Sequence, residues 1–338
     1  MRHARLAALL AAVLAAVLAS PLSGTPARAE FALDWPVACR IGETCEIQHY
    51  VDHGGGGDAK DFLCGSVTYR GHNGTDIRVL TLADERRGVA VLAAAAGTVL
   101  RTRDGMADVS VAVTGHDAVK DRDCGNAAVI AHAEGYETQY CHMAQGSLLV
   151  KPGDVVASGQ PIGRVGLSGD TEFPHLHITV RHGGQVIDPF AVGEPEGACS
   201  GGTSLWRAAL QPGLAYKAGT VLNMGFASTA LTMDQMDERA APEALTPDAP
   251  AVLAFVRAIT LRRGDVQRLV LSGPAGVLVD RSEPPLPSNK DQVFVGAGRR
   301  RPAAGWPPGT YEAVYTVTRD GRIVIERKAT QAIAAAPR

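Results

Sequence analysis

Residues 174–181 are Pro-His-Leu-His-Ile-Thr-Val-Arg, and the fold that we predict depends mainly on this stretch. The β-branched residues Ile178 and Val180 favour a strand. Alternate residues of a strand project to the same face, about 6.6 Å apart along it, so His175 and His177 can face one groove. This separation suits one histidine that binds a metal and another that reaches a water molecule or the substrate. Taken alone, the pattern is equally typical of two solvated histidines.

Short β-like runs separated by glycine turns surround this stretch. They cover residues 89–95, 98–101, 109–113, 127–132, 137–142 and 176–181. Hardly any window has a helical period. The sequence therefore predicts an antiparallel β-sheet with long loops over one face.

The β character continues from residue 205 to residue 335, where the chain has no histidine. The runs are 214–226, 252–261, 267–272, 292–295, 310–318 and 322–328, and Asp320-Gly321 between the last two is a strong hairpin signal. Residues 233–250 are rich in Asp, Glu, Ala and Pro and predict an exposed loop. We therefore predict an all-β chain whose C-terminal part is a β-sandwich resembling immunoglobulin domains.

The N-terminus predicts export. Arg2 and Arg5 precede an apolar run over residues 6–18. Ala27-Arg28-Ala29 has small residues at the two positions that a signal peptidase recognises. We therefore predict that residues 1–29 are a cleaved signal peptide. The run is shorter than the roughly 20 residues that span a bilayer, so we expect no membrane span after cleavage and a periplasmic or secreted location. An uncleaved membrane anchor is the alternative.

The charge balance argues against nucleic-acid binding. Lys and Arg number 33 against 35 Asp and Glu, a net charge of −2, and loss of residues 1–29 removes three arginines and no acid, which gives −5. A nucleic-acid-binding protein is expected to carry a basic stripe. The dense basic run at 299–301 instead lies between Gly298 and Pro302, as in a solvated loop tip.

Six cysteines lie before residue 200, and an even number in an exported chain predicts disulfides. The chain has no CxxC pair of the kind that a cysteine zinc site favours. Fifteen connectivities are possible. Proximity favours the pair Cys39–Cys45, and strand position favours Cys124–Cys141. These two pairs would leave Cys64 to pair with Cys199.

Two further histidine motifs precede the His-Leu-His pair. In residues 71–76, Gly-His-Asn-Gly-Thr-Asp, the glycines argue against a helix, and a strand end running into a glycine turn would let His72 and Asp76 converge on one ion. An ordinary turn capped by Asp76 is the alternative. Further along, Tyr140 and His142 follow the strand period, which predicts that they share a face and that the cysteine between them points the other way. A lone histidine there would more often be packed or on the surface.

Residues 69–190 resemble the catalytic domain of lysostaphin-type, LytM-like zinc metallopeptidases, which are peptidoglycan endopeptidases with a duplicated hybrid motif fold. The matching motifs are His-x-Gly-x-Asp at 72–76, Ala-Ala-Ala-Gly-Thr-Val at 94–99, Tyr-x-His at 140–142, Gly-Asp-Val at 153–155, Gly-Gln-Pro-Ile-Gly-x-Val-Gly-x-Ser-Gly at 159–169, Pro-His-Leu-His at 174–177 and Asp-Pro-Phe at 188–190. Residues 101–126 are longer than in the compact form of the family, and we expect them to rim the groove.

The resemblance implies roles for five side chains. Its metal ligands are His72, Asp76 and His177, which would bind Zn²⁺, and its catalytic histidines are His142 and His175. Two neutral imidazoles and a carboxylate are suitable zinc ligands and leave the open position that a hydrolytic zinc needs. One histidine can then take a proton from water while the other stabilises the oxyanion or protonates the leaving amine, and the sequence leaves their order open.

The remaining histidines of the mature chain have no comparable context, and we interpret them as structural: His49, His53, His116, His132 and His182. One alternative is a latent form in which a side chain from the region before residue 69 approaches the metal. The candidates for that contact are His49, Asp52, His53 and Asp58.

The function implied by the resemblance is that of a secreted zinc metalloendopeptidase hydrolysing peptide cross-links of bacterial peptidoglycan. One alternative is a non-hydrolytic cell-wall-binding protein that activates amidases, which retention of all five residues argues against. Another is a secreted lysin acting on other cells, with the C-terminal sandwich as its targeting module. The expected organisation is a signal peptide at 1–29, an N-terminal extension packed on the catalytic domain at 30–68, the zinc peptidase domain at 69–200 and the β-sandwich at 205–335.

Overall fold

Antiparallel strands build most of the chain, as the computed structural model shows for residues 30–195, 197–199, 201–238 and 243–335. The N-terminal strands are β1 (Cys45–His49), β2 (Thr75–Val79), β3 (Ala90–Leu92), β4 (Gly97–Arg103), β5 (Asn126–His132), β6 (Tyr136–Met143), β7 (Val155–Val156), β8 (Pro161–Arg164), β9 (His175–His182) and β10 (Gln185–Ile187). Two short helices interrupt them, α1 (Leu82–Arg87) and α2 (Val111–Thr114). The predicted signal peptide lies outside the described residues.

The main N-terminal sheet has the strand order β1-β2-β9-β6-β5-β4-β7, with β10 paired to β9, and β3 pairs separately with β8. Alternation along β9 explains its place in the middle. Leu176, Ile178 and Val180 are at most 1% exposed and lie in the hydrophobic core. The two histidines His175 and His177 alternate with them and project from the opposite face.

The predicted strand at 109–113 is wrong, because this segment contains the helix α2 instead. Ser110 caps the helix by accepting a hydrogen bond from the backbone N–H of Ala112. A serine at this position satisfies one of the free N–H groups of the first turn. Val111 is the buried residue of the helix. In so short a helix one buried apolar residue gives no helical period, so the sequence favoured a strand.

Two sheets form the C-terminal part. Their strands are β11 (Thr220–Ala227), β12 (Ala251–Leu261), β13 (Val266–Gly273), β14 (Gly276–Ser282), β15 (Lys290–Arg300), β16 (Gly309–Arg319) and β17 (Arg322–Ile333). One sheet has the order β11-β12-β15 and the other β14-β13-β16-β17. One hydrophobic core contains residues from both sheets. The prediction of an all-β fold is confirmed.

Three features of this part differ from the prediction. The basic run at 299–301 is not a loop tip, because Arg299 and Arg300 lie in β15 and pair with β12. Strand β14 carried no signal in the sequence, because its residues are exposed or only half-buried and do not alternate. The segment 233–250 is not simply an exposed loop, since it begins with the helix α3 (Met233–Asp237). Thr232 and Gln235 form a capping box at its start, and Met236 is fully buried.

Candidate metal centre

Strands β2 and β9 bring the predicted ligands together. Asp76 on β2 lies opposite His177 on β9, so both side chains project from one face of the sheet. His72 lies in the loop before β2, where Gly71 turns the chain with φ at 76°. A Cβ at Gly74 would lie 2.5 Å from His177 Nε2, so only glycine leaves room for the imidazole. The turn with Gly71 and Gly74 therefore lies before strand β2, whereas we predicted that a strand would run into this turn.

The three side chains converge within hydrogen-bond distance. His177 Nδ1 is 2.9 Å from Asp76 Oδ1, and His72 Nε2 is 3.1 Å from the same oxygen. The two ring nitrogens are 3.1 Å apart. All three residues are buried.

The hydrogen bonds on the far sides of the rings determine which nitrogens carry protons. His72 Nδ1 lies 2.7 Å from the carbonyl oxygen of Tyr50, which can only accept, so this nitrogen donates and Nε2 keeps its lone pair. His177 Nε2 lies 3.1 Å from Asn73 Oδ1 and donates in the same way, which leaves the lone pair on Nδ1. Two nitrogen lone pairs and the carboxylate of Asp76 therefore face one another. Such a buried set of acceptors fits a cation, and nitrogen and oxygen donors of this kind suit zinc.

A second histidine pair borders this set. The rings of His142 and His175 are 4.6 Å apart. His142 Nδ1 donates to the carbonyl oxygen of Ser168 over 2.8 Å, and His175 Nδ1 donates to that of Phe173 over 3.0 Å. His175 Nε2 is 3.3 Å from Asp76 Oδ1. The structure thus brings all five predicted site residues into one cluster.

The backbone of His142 has an unusual conformation. Its φ of 59° lies in the left-handed region, which is costly for a residue with a Cβ. Tyr140 points into the core, where its hydroxyl accepts a hydrogen bond from the N–H of Ala94. His142 instead lines the groove, next to Cys141. The prediction that Tyr140 and His142 share a face is therefore wrong, because the left-handed residue breaks the strand alternation.

Burial and neighbouring charges set the protonation of the cluster. Burial acts to raise the pKa of the Asp76 carboxyl, but His72 and His175 beside it hold this pKa well below its usual range. Burial, reinforced by His175 and His177, holds the pKa of His142 well below its usual value. Burial also lowers the pKa of His177 despite its contact with Asp76. At neutral pH His142 is therefore neutral and able to accept a proton.

A groove of about 450 Å³ opens onto the cluster. Its walls carry both charges and hydrogen-bonding groups, namely Tyr69, Asn73, Arg103, Asp121, Arg122, Asp123, Gln139, Asp170 and Thr179. Four of these residues come from the long segment 101–126, so the prediction that this segment rims the groove is confirmed. The three predicted disulfides are also present, and one of them, Cys124–Cys141, lies in the groove wall.

His49, which we interpreted as structural, contacts one of the predicted metal ligands. Its Nδ1 lies 3.0 Å from Asp76 Oδ2, the oxygen that faces away from His72 and His177. Burial lowers the pKa of His49, but its contacts with Asp291 and Asp76 outweigh this and raise the pKa to about 9. No motif in the sequence predicts this contact, because it depends on the pairing of β1 with β2. His53, by contrast, lies away from the cluster and contacts Asp188 over 2.9 Å.

Parts of this chain are similar to known proteins. The model of Peptidase family M23 matches residues 70–189. The DD-carboxypeptidase/endopeptidase Mpg of Neisseria meningitidis serogroup B is 41% identical over 76 residues, and the match covers 21% of this chain and 16% of that protein. The peptidoglycan DD-endopeptidase ShyA of Vibrio cholerae is 37% identical over 71 residues, with the same two coverages of 21% and 16%.

A solved structure of a zinc-containing peptidase from Vibrio cholerae is 26% identical, covers 46% of this chain and 39% of its own, and gives a TM-score of 0.32. The chain covers only 16% of the length of Mpg and of ShyA. The family match includes all five clustered side chains. The match of residues 70–189 to Peptidase family M23 confirms the resemblance to LytM-like peptidases.

Proposed function

We propose that this protein is a secreted zinc metalloendopeptidase that hydrolyses peptide cross-links of bacterial peptidoglycan. In this proposal His72, Asp76 and His177 hold Zn²⁺, and His142 and His175 are the catalytic residues. The observation that carries the proposal is the set of buried acceptors, in which two imidazole lone pairs and a carboxylate lie about 3 Å apart. A bound cation removes the repulsion among them.

The mechanism divides the work between the two groups of residues. Zinc, when bound, activates water and polarises the scissile carbonyl. The Nδ1 atoms of His142 and His175 donate to the carbonyl oxygens of Ser168 and Phe173, which leaves the Nε2 atom of each ring for the reaction. One of the two imidazoles takes the proton of the attacking water. The other takes up a proton from solvent and donates it to the developing oxyanion or to the leaving amine.

The substrate and the location come from the relatives and the sequence. The two relatives named above are, by their names, a DD-carboxypeptidase/endopeptidase and a peptidoglycan DD-endopeptidase. We extend this substrate class to the present chain. An extracytoplasmic location agrees with the predicted signal peptide and the three disulfides. No helix within the described ranges is long and apolar enough to cross a membrane.

The proposed domain organisation follows the same division as the sequence. The signal peptide is 1–29, the N-terminal extension is 30–68, the peptidase domain is 69–200 and the β-sandwich is 205–335. Strand β1 of the extension pairs with β2, which supports a close association of that segment with the peptidase domain.

A hydrolysis assay tests the proposed function. Purified protein is incubated with peptidoglycan sacculi, with and without a zinc chelator, and turbidity and released fragments are followed. We expect clearing that the chelator abolishes and added zinc restores, and mass spectrometry of the fragments identifies the bond. A protein that holds no zinc and releases no peptide would fit the amidase-activator alternative and contradict the proposal. Cleavage of non-peptidoglycan proteins alone would contradict the substrate.

A further inference from the structure

The carboxylate of Asp76 is held on both sides. Its Oδ1 faces His72 and His177, whereas its Oδ2 accepts a hydrogen bond from His49 Nδ1 over 3.0 Å. His49 is 5% exposed, and Tyr69 packs edge-on against its ring at 5.2 Å. A buried donor on the second oxygen prevents the carboxylate from rotating about its Cβ–Cγ bond.

The other nitrogen of this ring points towards the C-terminal sheets. His49 Nε2 is buried and has no hydrogen-bond partner among the described residues. The nearest charged group is Asp291 Oδ1 on β15, at 3.6 Å. This distance is within ion-pair range but too long for a hydrogen bond. The side chain of Asp291 is 79% exposed, so it can rotate by the roughly 0.7 Å that a normal N–H···O distance requires.

We propose that His49 is a positioning residue that fixes the orientation of Asp76 for metal binding, and that Asp291 makes this orientation depend on the C-terminal sheets. The inference rests on the proposed zinc site. It also assigns a role to the C-terminal sheets. The carboxylate of Asp291 on β15 faces one nitrogen of the His49 ring, and the other nitrogen of that ring contacts Asp76.

The energetic reason is the fixed geometry of metal ligands. A ligand that rotates freely must be ordered when the ion binds, whereas a ligand held by an outer hydrogen bond is already in place. Loss of such an outer partner typically weakens metal affinity or activity about 10- to 100-fold. The same range is expected for loss of the His49 donor.

Zinc affinity of the full-length protein, measured by competition with a chromophoric chelator, tests this inference without an activity assay. Three variants are compared with the wild type. H49L removes both ring nitrogens, H49N keeps an amide donor near the position of Nδ1, and D291A removes only the exposed carboxylate. The matched control is E312Q, an exposed acid on β16 of the same region.

We expect zinc affinity about 10- to 100-fold weaker in H49L, substantial recovery in H49N and a measurable loss, smaller than about 10-fold, in D291A. The control should match the wild type. The visible absorption of the Co²⁺-substituted protein should change in H49L and return towards that of the wild type in H49N, which a purely structural role would not produce.

Two outcomes overturn the inference. Wild-type affinity in a folded H49L would remove the positioning role, and wild-type affinity in D291A would remove the link to the C-terminal sheets. If H49L fails to fold, H49N and D291A still decide the question. A loss of about 10-fold or more in H49N, together with wild-type affinity in D291A, would contradict the proposal. A wild-type protein that binds no zinc would instead contradict the proposed function itself.

Discussion

Asp76 receives imidazole nitrogens on both of its oxygens. His72, His177 and His175 lie within 3.3 Å of Oδ1, and His49 lies 3.0 Å from Oδ2. Asp76 is 2% exposed, so its carboxylate has almost no contact with water. A buried charge needs a donor or a cation beside it. His49 donates to Oδ2, and the lone pairs of His72 and His177 leave the place beside Oδ1 to a cation.

The separate roles of the two histidine groups lead to a prediction at His142. Replacement with Gln removes the group that accepts a proton but leaves the three ligands in place. We expect H142Q to bind one zinc ion per chain and to lose about 10²- to 10⁴-fold in kcat. Zinc stoichiometry and steady-state kinetics on a soluble cross-linked peptide measure the two effects. H182Q, an exposed histidine on β9, is the control, and loss of zinc from H142Q would contradict the division of roles.

Much of the cluster is predictable from the sequence because its motifs are local. His72 and Asp76 are separated by three residues, and His175 and His177 by one, so each pair is close in any compatible backbone. His49 reaches Asp76 only through strand pairing over 27 residues, and no local pattern reports such a register. The left-handed backbone conformation of His142 was likewise not predictable, because this conformation is expected at glycine and the residue here is a histidine.

Among the elements, the antiparallel pair β2 and β9 positions two of the three proposed metal ligands, Asp76 and His177. The register that places Asp76 opposite His177 also places Arg78 opposite His175. Predicted strands agree with observed ones where apolar alternation is strong, as in β9. They fail where a short run is capped into a helix, as at Ser110, or where neither face is well buried, as in β14.

The close approach of the loop to β9 leads to a prediction at Gly74. A Cβ there would meet His177 Nε2 at 2.5 Å and the carbonyl oxygen of Ile178 at 2.7 Å, so the imidazole must move. We expect G74A to weaken zinc affinity at least about 10-fold and to cost about 1–3 kcal/mol in the free energy of unfolding. G213A is the matched control, because its new Cβ would make only ordinary contacts, the nearest at 3.5 Å. Equal zinc affinity in both variants would contradict this account.

The contact of His53 with Asp188 leads to a prediction for pH. The hydrogen bond to Asp188 outweighs burial and raises the pKa of His53 above its ordinary value of 6.5. The ion pair therefore stabilises the folded state fully below about pH 6.5, and this contribution is lost as pH rises through the folded pKa. H53Q keeps a neutral donor. The stability difference between wild type and H53Q, about 1 kcal/mol by denaturant unfolding at pH 6, should shrink towards pH 9. A difference that is constant or grows with pH would contradict the pairing.

At the scale of the whole molecule, polar contacts join the N-terminal sheet to the C-terminal sheets. Glu46 on β1 is 3% exposed and accepts hydrogen bonds from Lys217 and Thr220, each over 2.9 Å. Arg257 on β12 donates to the carbonyl oxygen of Leu80. The sequence predicted both β-rich parts but not these contacts, because surfaces that meet between them carry no periodic pattern.

The disulfide Cys64–Cys199 spans the whole peptidase segment, since its cysteines are 135 residues apart. Its removal should lower the free energy of unfolding by about 2–5 kcal/mol, because the unfolded chain gains the entropy of a long open loop. The double variant C64A/C199A is compared by denaturant unfolding with C39A/C45A, whose cysteines are 6 residues apart. A loss no larger than that of the short loop would contradict the entropic argument.

X-ray diffraction from crystals of the protein, recorded at wavelengths on both sides of the zinc absorption edge, tests the proposed zinc site. We expect one anomalous peak per chain that is strong only above the edge, within about 2.0–2.2 Å of His72 Nε2, His177 Nδ1 and an oxygen of Asp76. Crystals grown with zinc that show no peak there, or show the zinc bound to other residues, would contradict it.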